Sequence, residues 1–379
     1  MNWDTRLIHD GQDPDSLTGA VNVPVYLTST YAQSSPGTAK GYVYSRTGNP
    51  TRAALERVLG RLEGGVGSLA FGSGLAATSA LFMAYPKGSR IVAGDDLYAG
   101  TWRLLQVART HGVTVDFIDT TDLGNVRRAL AASPQADLLY LETPTNPLLK
   151  VTDLRGAISA ARATRTKVAV DNTFASPVLQ RPLDLGADIV VHSTTKYLGG
   201  HSDLIGGALV FRSRALLEKY RWFQNTQGGI PGPLECFLVL RGIHTMGLRV
   251  RAHCGNARRV ASFLSGHPKV TRTLYPGLRT HPGYLVARRQ MDDFGGMVSA
   301  EVRGGLSAAK RVVRRLRVFT LAESLGGVES LVNVPALMTH RSVPKELRER
   351  QGIRDGLIRF SVGIEDATDL IADLRKALA

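Results

Sequence analysis

Six short apolar runs recur along the middle of the chain: Arg90 to Ala93, Thr114 to Ile118, Asp137 to Glu142, Lys167 to Val170, Ile189 to His192 and Gly207 to Phe211. Each is separated from the next by a stretch of helical character. Strand–helix alternation at this spacing predicts an α/β fold with a mostly parallel sheet. In such sheets ligands bind beyond the carboxyl ends of the strands. Polar clusters fall at those ends: Thr143-Pro144-Thr145-Asn146-Pro147 follows one strand, Asp171-Asn172-Thr173 a second, and Ser193-Thr194-Thr195-Lys196 a third. Three strand ends are therefore expected to face one site.

The flanks read differently. Up to about Gly60 the chain is a turn-rich arm, apart from a helix start at Asn49-Pro50-Thr51 that leads into Arg52 to Leu62. Beyond about Thr245, a helical stretch from Leu248 to Leu264 precedes strand-like runs at Val270 to Tyr275, Gly296 to Val302 and Leu357 to Val362. Helical runs at Leu306 to Leu316 and Asp366 to Leu378 complete a smaller α+β unit. A chain of 379 residues exceeds what one core usually serves, so a large and a small domain are expected.

Composition excludes several classes. Hydrophobic and charged fractions of 43% and 21% are those of a globular protein. No apolar run approaches the roughly 20 residues of a membrane span. Met1-Asn2-Trp3-Asp4 lacks the basic and apolar regions of a secretory signal. Cys236 and Cys254 alone make neither a disulfide framework nor a metal-ligand pattern, so a cytoplasmic chain without a metal is expected. The 47 basic residues outnumber the 32 acidic ones, for a net charge of +15. Arg249, Arg251, Arg258 and Arg259, and again Lys310, Arg311, Arg314, Arg315 and Arg317, lie at helical spacing and read as solvated helix faces. No nucleic-acid module accompanies them, and neither nucleic acid nor membrane is expected as a partner.

Lys196 stands at a strand end among Ser193, Thr194 and Thr195, where a lysine kept for solubility is out of place. Its amine could form a Schiff base with a carbonyl cofactor, with the hydroxyls holding a phosphate; phosphate contact by the lysine or a structural role are the alternatives. Asp171 could cap a helix or pair with a protonated pyridine nitrogen. Phe71-Gly72-Ser73-Gly74-Leu75-Ala76-Ala77 is a small-residue turn into a helix, suited to an anion or to tight packing. It lacks the third glycine of a dinucleotide fingerprint. Tyr44 and Arg46 offer a phenol and a guanidinium to a phosphate, and Arg359 could clamp a carboxylate. Tyr98 could stack on an aromatic ring or pack in the core.

Together these residues resemble the cysteine and methionine metabolism family of pyridoxal-phosphate enzymes, the cystathionine γ-lyases, γ-synthases and their relatives. The resemblance runs from about Thr5 to Leu378 through Tyr44-Ser45-Arg46-Thr47-Gly48-Asn49-Pro50, Ser73-Gly74-Leu75-Ala76-Ala77, Glu142-Thr143-Pro144-Thr145-Asn146-Pro147, Val170-Asp171-Asn172-Thr173-Phe174, Ser193-Thr194-Thr195-Lys196-Tyr197, Ala322-Glu323-Ser324-Leu325-Gly326-Gly327 and Arg359-Phe360-Ser361-Val362-Gly363. It implies the fold-type I, aspartate aminotransferase-like architecture with pyridoxal 5'-phosphate as cofactor. The expected division is an arm at 1–60 reaching a neighbouring subunit, a cofactor-binding domain at 61–245 and a C-terminal α+β domain at 246–379. A homotetramer built as a dimer of dimers is implied, with Tyr44 and Arg46 crossing to the neighbour's cofactor phosphate.

Within the subunit the resemblance implies phosphate contacts from Gly74, Leu75, Ser193 and Thr195, stacking and catalysis by Tyr98, a pyridine partner in Asp171 and covalent attachment at Lys196. Asn146, Ser324 and Arg359 match positions that hold the substrate carboxylate or orient the cofactor. Glu323 stands where enzymes acting at the γ-carbon carry a glutamate. Gly100 and Ser202 depart from the methionine γ-lyase pattern, and Val43 replaces an acidic residue that many relatives have before Tyr44. Val334 to His340 and Asp355 to Arg359 resemble bacterial lyases more than synthases. The expected reaction is γ-elimination on L-cystathionine, giving cysteine, 2-oxobutyrate and ammonia. A γ-synthase joining an activated homoserine to cysteine, and a β-lyase, are the alternatives.

Overall fold

The computed structural model describes residues 1–379. Its larger sheet has seven strands, in the order Gly67–Phe71, Gly207–Phe211, Ile189–His192, Lys167–Asp171, Leu138–Glu142, Arg90–Gly94, Thr114–Ile118. Gly207–Phe211 runs antiparallel to both neighbours, and every other adjacent pair is parallel. Leu138–Glu142, Ile189–His192 and Gly207–Phe211 are buried along their whole length, as expected of strands with helices on both faces. The six expected strands are present to within one residue. Gly67–Phe71 is an addition: it pairs only with Gly207–Phe211, far along the chain, so local pattern gives it little signature.

A second sheet of five strands runs Val270–Leu274, Met297–Val302, Leu357–Ser361, Leu331–Asn333, Thr320–Leu321. All its pairings are antiparallel except the last. The two final strands have three and two residues, too few for a visible alternation. Helices Met246–Ser265, Gly305–Arg315 and Ala367–Leu378 cover this sheet, burying Val260, Leu264, Val312, Leu370 and Leu374 against Val298, Ile358 and Phe360.

The arm is tied to the sheet by the helix Pro50–Leu62. Asn49 Oδ1 accepts from the N–H of Thr51 at 3.0 Å and Arg52 at 3.3 Å, which caps the helix start, and Pro50 occupies the first turn where its missing N–H costs nothing. Leu55, Val58, Leu59 and Leu62 then face the core. One basic residue departs from expectation. Arg249 is buried rather than solvated, because its Nη1 donates to the Tyr197 carbonyl at 2.9 Å and its Nη2 to that of Gly242 at 2.5 Å. It fixes the turn that follows Lys196. No helix is long and apolar enough to cross a membrane.

Beneath the strand ends lies a polar network with almost no solvent contact. Glu63 Oε1 receives His192 Nε2 at 2.6 Å and Asn172 Nδ2 at 2.8 Å, with both Glu63 and His192 side chains 1% exposed. Asn172 also donates to the Gln180 carbonyl at 2.7 Å. This carboxylate joins the arm helix to two of the three strands that end at the polar clusters. Glu63→Ala should leave His192 Nε2 without its acceptor and Asn172 with only the Gln180 carbonyl, and destabilise the fold by about 2 kcal/mol or more. The thermal unfolding midpoint checks this, and Glu63→Gln should lose less.

Candidate active site

Beyond the carboxyl ends of Leu138–Glu142, Lys167–Asp171 and Ile189–His192 opens a cavity of about 600 Å3. Eleven of the thirteen site residues expected from sequence line it: Gly74, Leu75, Tyr98, Asn146, Asp171, Ser193, Thr195, Lys196, Glu323, Ser324 and Arg359. Tyr44 and Arg46 do not. Tyr44 is 45% exposed, and Arg46, also exposed, donates Nη1 to the Asn225 carbonyl at 2.7 Å.

One end of the cavity is built for an anion. Ser73 caps the helix Gly74–Met83 through its hydroxyl, which accepts from Ala76 N–H at 3.0 Å. The first-turn N–H groups of Gly74 and Leu75 have no intrahelical acceptor, and the helix dipole adds positive potential there. Gly74 is required by crowding, since a Cβ would come within 2.9 Å of Ser193 Cβ. Ser193 N–H donates to Thr173 Oγ1 at 2.9 Å, which turns its hydroxyl toward the helix start. Thr195 Oγ1 accepts from Gly206 N–H at 3.0 Å and so stiffens the same turn.

The floor carries two carboxylates side by side. Glu142 and Asp171 are partners in adjacent parallel strands. Asp171 Oδ1 accepts from Thr173 N–H at 3.0 Å and Oδ2 from the Tyr140 hydroxyl at 3.3 Å. The next helix, Ser176–Leu179, starts further on, so Asp171 is not a helix cap. Glu142 accepts from Tyr98 N–H at 2.9 Å and Asn146 N–H at 2.8 Å. Neither carboxylate forms an ion pair. Burial raises the pKa of both, and the charge of Asp171 pushes Glu142 further in that direction. Such a floor suits a ligand that carries positive charge.

Opposite stand two cations. Lys196 Nζ donates to Ser324 Oγ at 2.6 Å. Burial and then the nearby Arg359 charge depress its pKa to about 8, against a smaller upward pull from Glu323. Arg359, 1% exposed, donates Nη1 to Asn146 Oδ1 at 2.7 Å and Nη2 to the Ser324 carbonyl at 2.9 Å. It has no carboxylate partner, and its pKa falls to about 10 because it is buried. A buried guanidinium held only by neutral acceptors is a seat for a carboxylate. Ser324 reaches both cations by adopting a left-handed φ of +85°, a conformation strained for any residue but glycine.

Tyr98 stands at the entrance, 38% exposed, at the start of the helix Ala99–Thr110. Its ring lies where any side chain at position 100 would overlap it, which accounts for Gly100. Glu323 is at the exposed rim. Thr173, Glu329, Ser202 and Thr339 also line the cavity, beyond the site residues expected from sequence. Thr173 and Ser202 lie inside or beside the strand-end motifs, but Glu329, which accepts from Ser202, and Thr339 come from loops of the second sheet whose approach no local pattern reveals.

Pyridoxal phosphate fits these residues: a helix start with a free Ser193 hydroxyl for its phosphate, unpaired carboxylates below for a protonated ring nitrogen, and a partly neutral amine for its carbonyl. Because the Lys196 amine loses its proton near pH 8, its capture of an aldehyde should rise with pH through about 8 rather than through the ordinary lysine range. Borohydride trapping of a simple aldehyde on apoenzyme, with the modified peptide located by mass, would show this. A midpoint above pH 10 would contradict it.

Comparison with known proteins identifies the family. The family described as Cys/Met metabolism PLP-dependent enzyme matches residues 4–379. The chain is 50% identical to a cystathionine β-lyase of Coxiella burnetii, over 99% of this chain and 97% of that one. It is 49% identical to a cystathionine γ-synthase of Mycobacterium tuberculosis, over 99% and 96%. The crystal structure of cystathionine γ-lyase from Lactobacillus plantarum complexed with L-serine superposes with a TM-score of 0.96 at 46% identity, covering 100% of this chain and 98% of that one. The chain belongs to the family of Cys/Met metabolism PLP-dependent enzymes, and pyridoxal phosphate is its cofactor.

Proposed function

We propose that this enzyme is a cystathionine γ-lyase, converting L-cystathionine and water to cysteine, 2-oxobutyrate and ammonia. The observation that carries this reading is the company Lys196 keeps. γ-Elimination moves protons at more than one carbon and must also satisfy the departing sulfur, so it needs more acid–base groups than β-elimination. Lys196 has Tyr98 at the cavity entrance and Glu323 at the rim, and Glu323 lies close enough for its charge to raise the pKa of both Lys196 and Arg359.

Roles for the other residues follow from their surroundings. Gly74, Leu75, Ser193 and Thr195 would hold the phosphate, Tyr98 would cover the ring, and Asp171 would keep the ring nitrogen protonated. When bound, pyridoxal phosphate supplies an electron sink conjugated with the substrate α-carbon. Arg359, oriented by Asn146 and the Ser324 carbonyl, binds the substrate α-carboxylate. That contact turns the α-hydrogen toward Lys196. Lys196 Nζ, depressed to about 8, becomes free to take a proton as pH rises through about 8, well below the ordinary lysine range, and the Ser324 hydroxyl 2.6 Å away holds it in place. Buried Leu204 and Phe174 give the walls an apolar surface.

Tyr44 and Arg46 would serve the site of a neighbouring copy in a homotetramer. Support comes from the arm, which leaves Leu17, Val21 and Leu27 between 76% and 84% exposed. A second reading, γ-synthesis or β-elimination, has the support of relatives so named at 49–50% identity.

Cystathionine as sole substrate separates these. The γ-lyase gives 2-oxobutyrate and cysteine; pyruvate with homocysteine would instead mark the β-lyase, and product only with an acylated homoserine plus cysteine the synthase. Lys196→Ala should abolish turnover while the phosphate contacts still bind the cofactor. Glu323→Ala should lower 2-oxobutyrate formation at least tenfold and spare any pyruvate formation; equal loss of both would remove Glu323 from the γ-specific steps.

A further inference from the structure

Glu142 is used by none of the steps above, yet it stands at the centre of the cavity floor. Its two oxygens are each committed to one backbone N–H. Oε2 takes Tyr98, on the loop after the strand Arg90–Gly94, and Oε1 takes Asn146, on the loop after the strand Leu138–Glu142. Those two residues serve opposite ends of the site. Tyr98 begins its helix with no side-chain cap; its carbonyl accepts Trp102 N–H at 3.0 Å, and Glu142 holds its N–H. Asn146 passes the constraint on, since its Oδ1 accepts Arg359 Nη1 at 2.7 Å. A single carboxylate thus sits between the aromatic ring at the entrance and the buried guanidinium.

We infer that Glu142 is a positioning residue that sets the Tyr98 ring and the Asn146–Arg359 clamp as one unit, so that cofactor stacking and substrate-carboxylate binding depend on the same buried side chain. A carboxyl group offers a lone pair at each oxygen, one for each of the two N–H groups. An amide in the same place satisfies one loop and turns its NH2 against the other N–H. The two loops are also joined away from the cavity, by Thr145 to Asp96 and by Lys150 Nζ to Asp95 at 3.0 Å. These links keep the loops together when Glu142 is changed, and they confine its effect to the residues that reach the cavity.

The test uses binding rather than turnover, and so does not depend on which carbon–sulfur bond the enzyme breaks. Pyridoxal phosphate Kd is measured on apoenzyme, and cystathionine Kd is measured by calorimetry on cofactor-loaded protein in a Lys196→Ala background. Glu142→Gln should weaken at least one of the two constants about tenfold, the scale of one lost hydrogen bond to a charged group. Glu142→Ala, which releases both loops, should weaken both. Native circular dichroism with both constants of Glu142→Gln within twofold of the parent would overturn the inference, even if its thermal midpoint fell. If the alanine variant fails to fold, the glutamine variant alone decides. An unexpected product from the unmodified enzyme would revise the lyase reading and leave these constants unaffected.

Discussion

Two carboxylates buried side by side with no ion-pair partner for either would normally be avoided, since burial and mutual repulsion both disfavour their charged forms. In this enzyme Glu142 and Asp171 occupy matched positions at the ends of adjacent parallel strands, and the sheet register brings them together. Backbone N–H groups from Tyr98, Asn146 and Thr173, with the Tyr140 hydroxyl, satisfy their oxygens without neutralising them. The remaining negative potential points into the cavity. A ligand that brings its own positive ring nitrogen completes the electrostatics, and the cofactor of this family does.

The opposite wall repeats the arrangement with reversed sign. Arg359 and Lys196 are brought together by Ser324, whose carbonyl serves one and whose hydroxyl serves the other. Burial makes both charges costlier, and the Arg359 charge adds to the cost at Lys196. Arg359 stays charged because its starting basicity is high, so Lys196 yields, dropping to about 8. That shift suits the nucleophile and proton carrier that we propose Lys196 to be. The strained backbone of Ser324 is the structural cost of placing one small residue against both.

Much of this site is legible in the sequence, and the reason is local. Lys196, Asp171 and Asn146 each lie within four residues of the end of an apolar strand, and the rule that ligands sit at strand ends needs only that proximity. The turn Ser73-Gly74-Leu75 is legible as a small-residue entry into a helix, suited equally to an anion or to tight packing, and only the resemblance chooses between them. Less legible is whatever depends on register or on long-range approach. Glu142 lies within a strand-end motif, but only the pairing with Lys167–Asp171 shows that it faces Asp171. Glu329 and Thr339 arrive from the second sheet. Arg249, a surface residue by its spacing, turns inward because the carbonyls of Tyr197 and Gly242 need a donor. Helical period gives a face, and only packing decides which face is wet.

The most direct measurement is the protonation state of the bound cofactor's ring nitrogen. Enzyme loaded with 15N-labelled pyridoxal phosphate should show a protonated nitrogen by NMR at neutral pH, and Asp171→Asn, which removes one charge from the floor, should show it deprotonated. A neutral ring nitrogen in the unmodified enzyme, or one that stays protonated in Asp171→Asn, would contradict the role of the buried carboxylates.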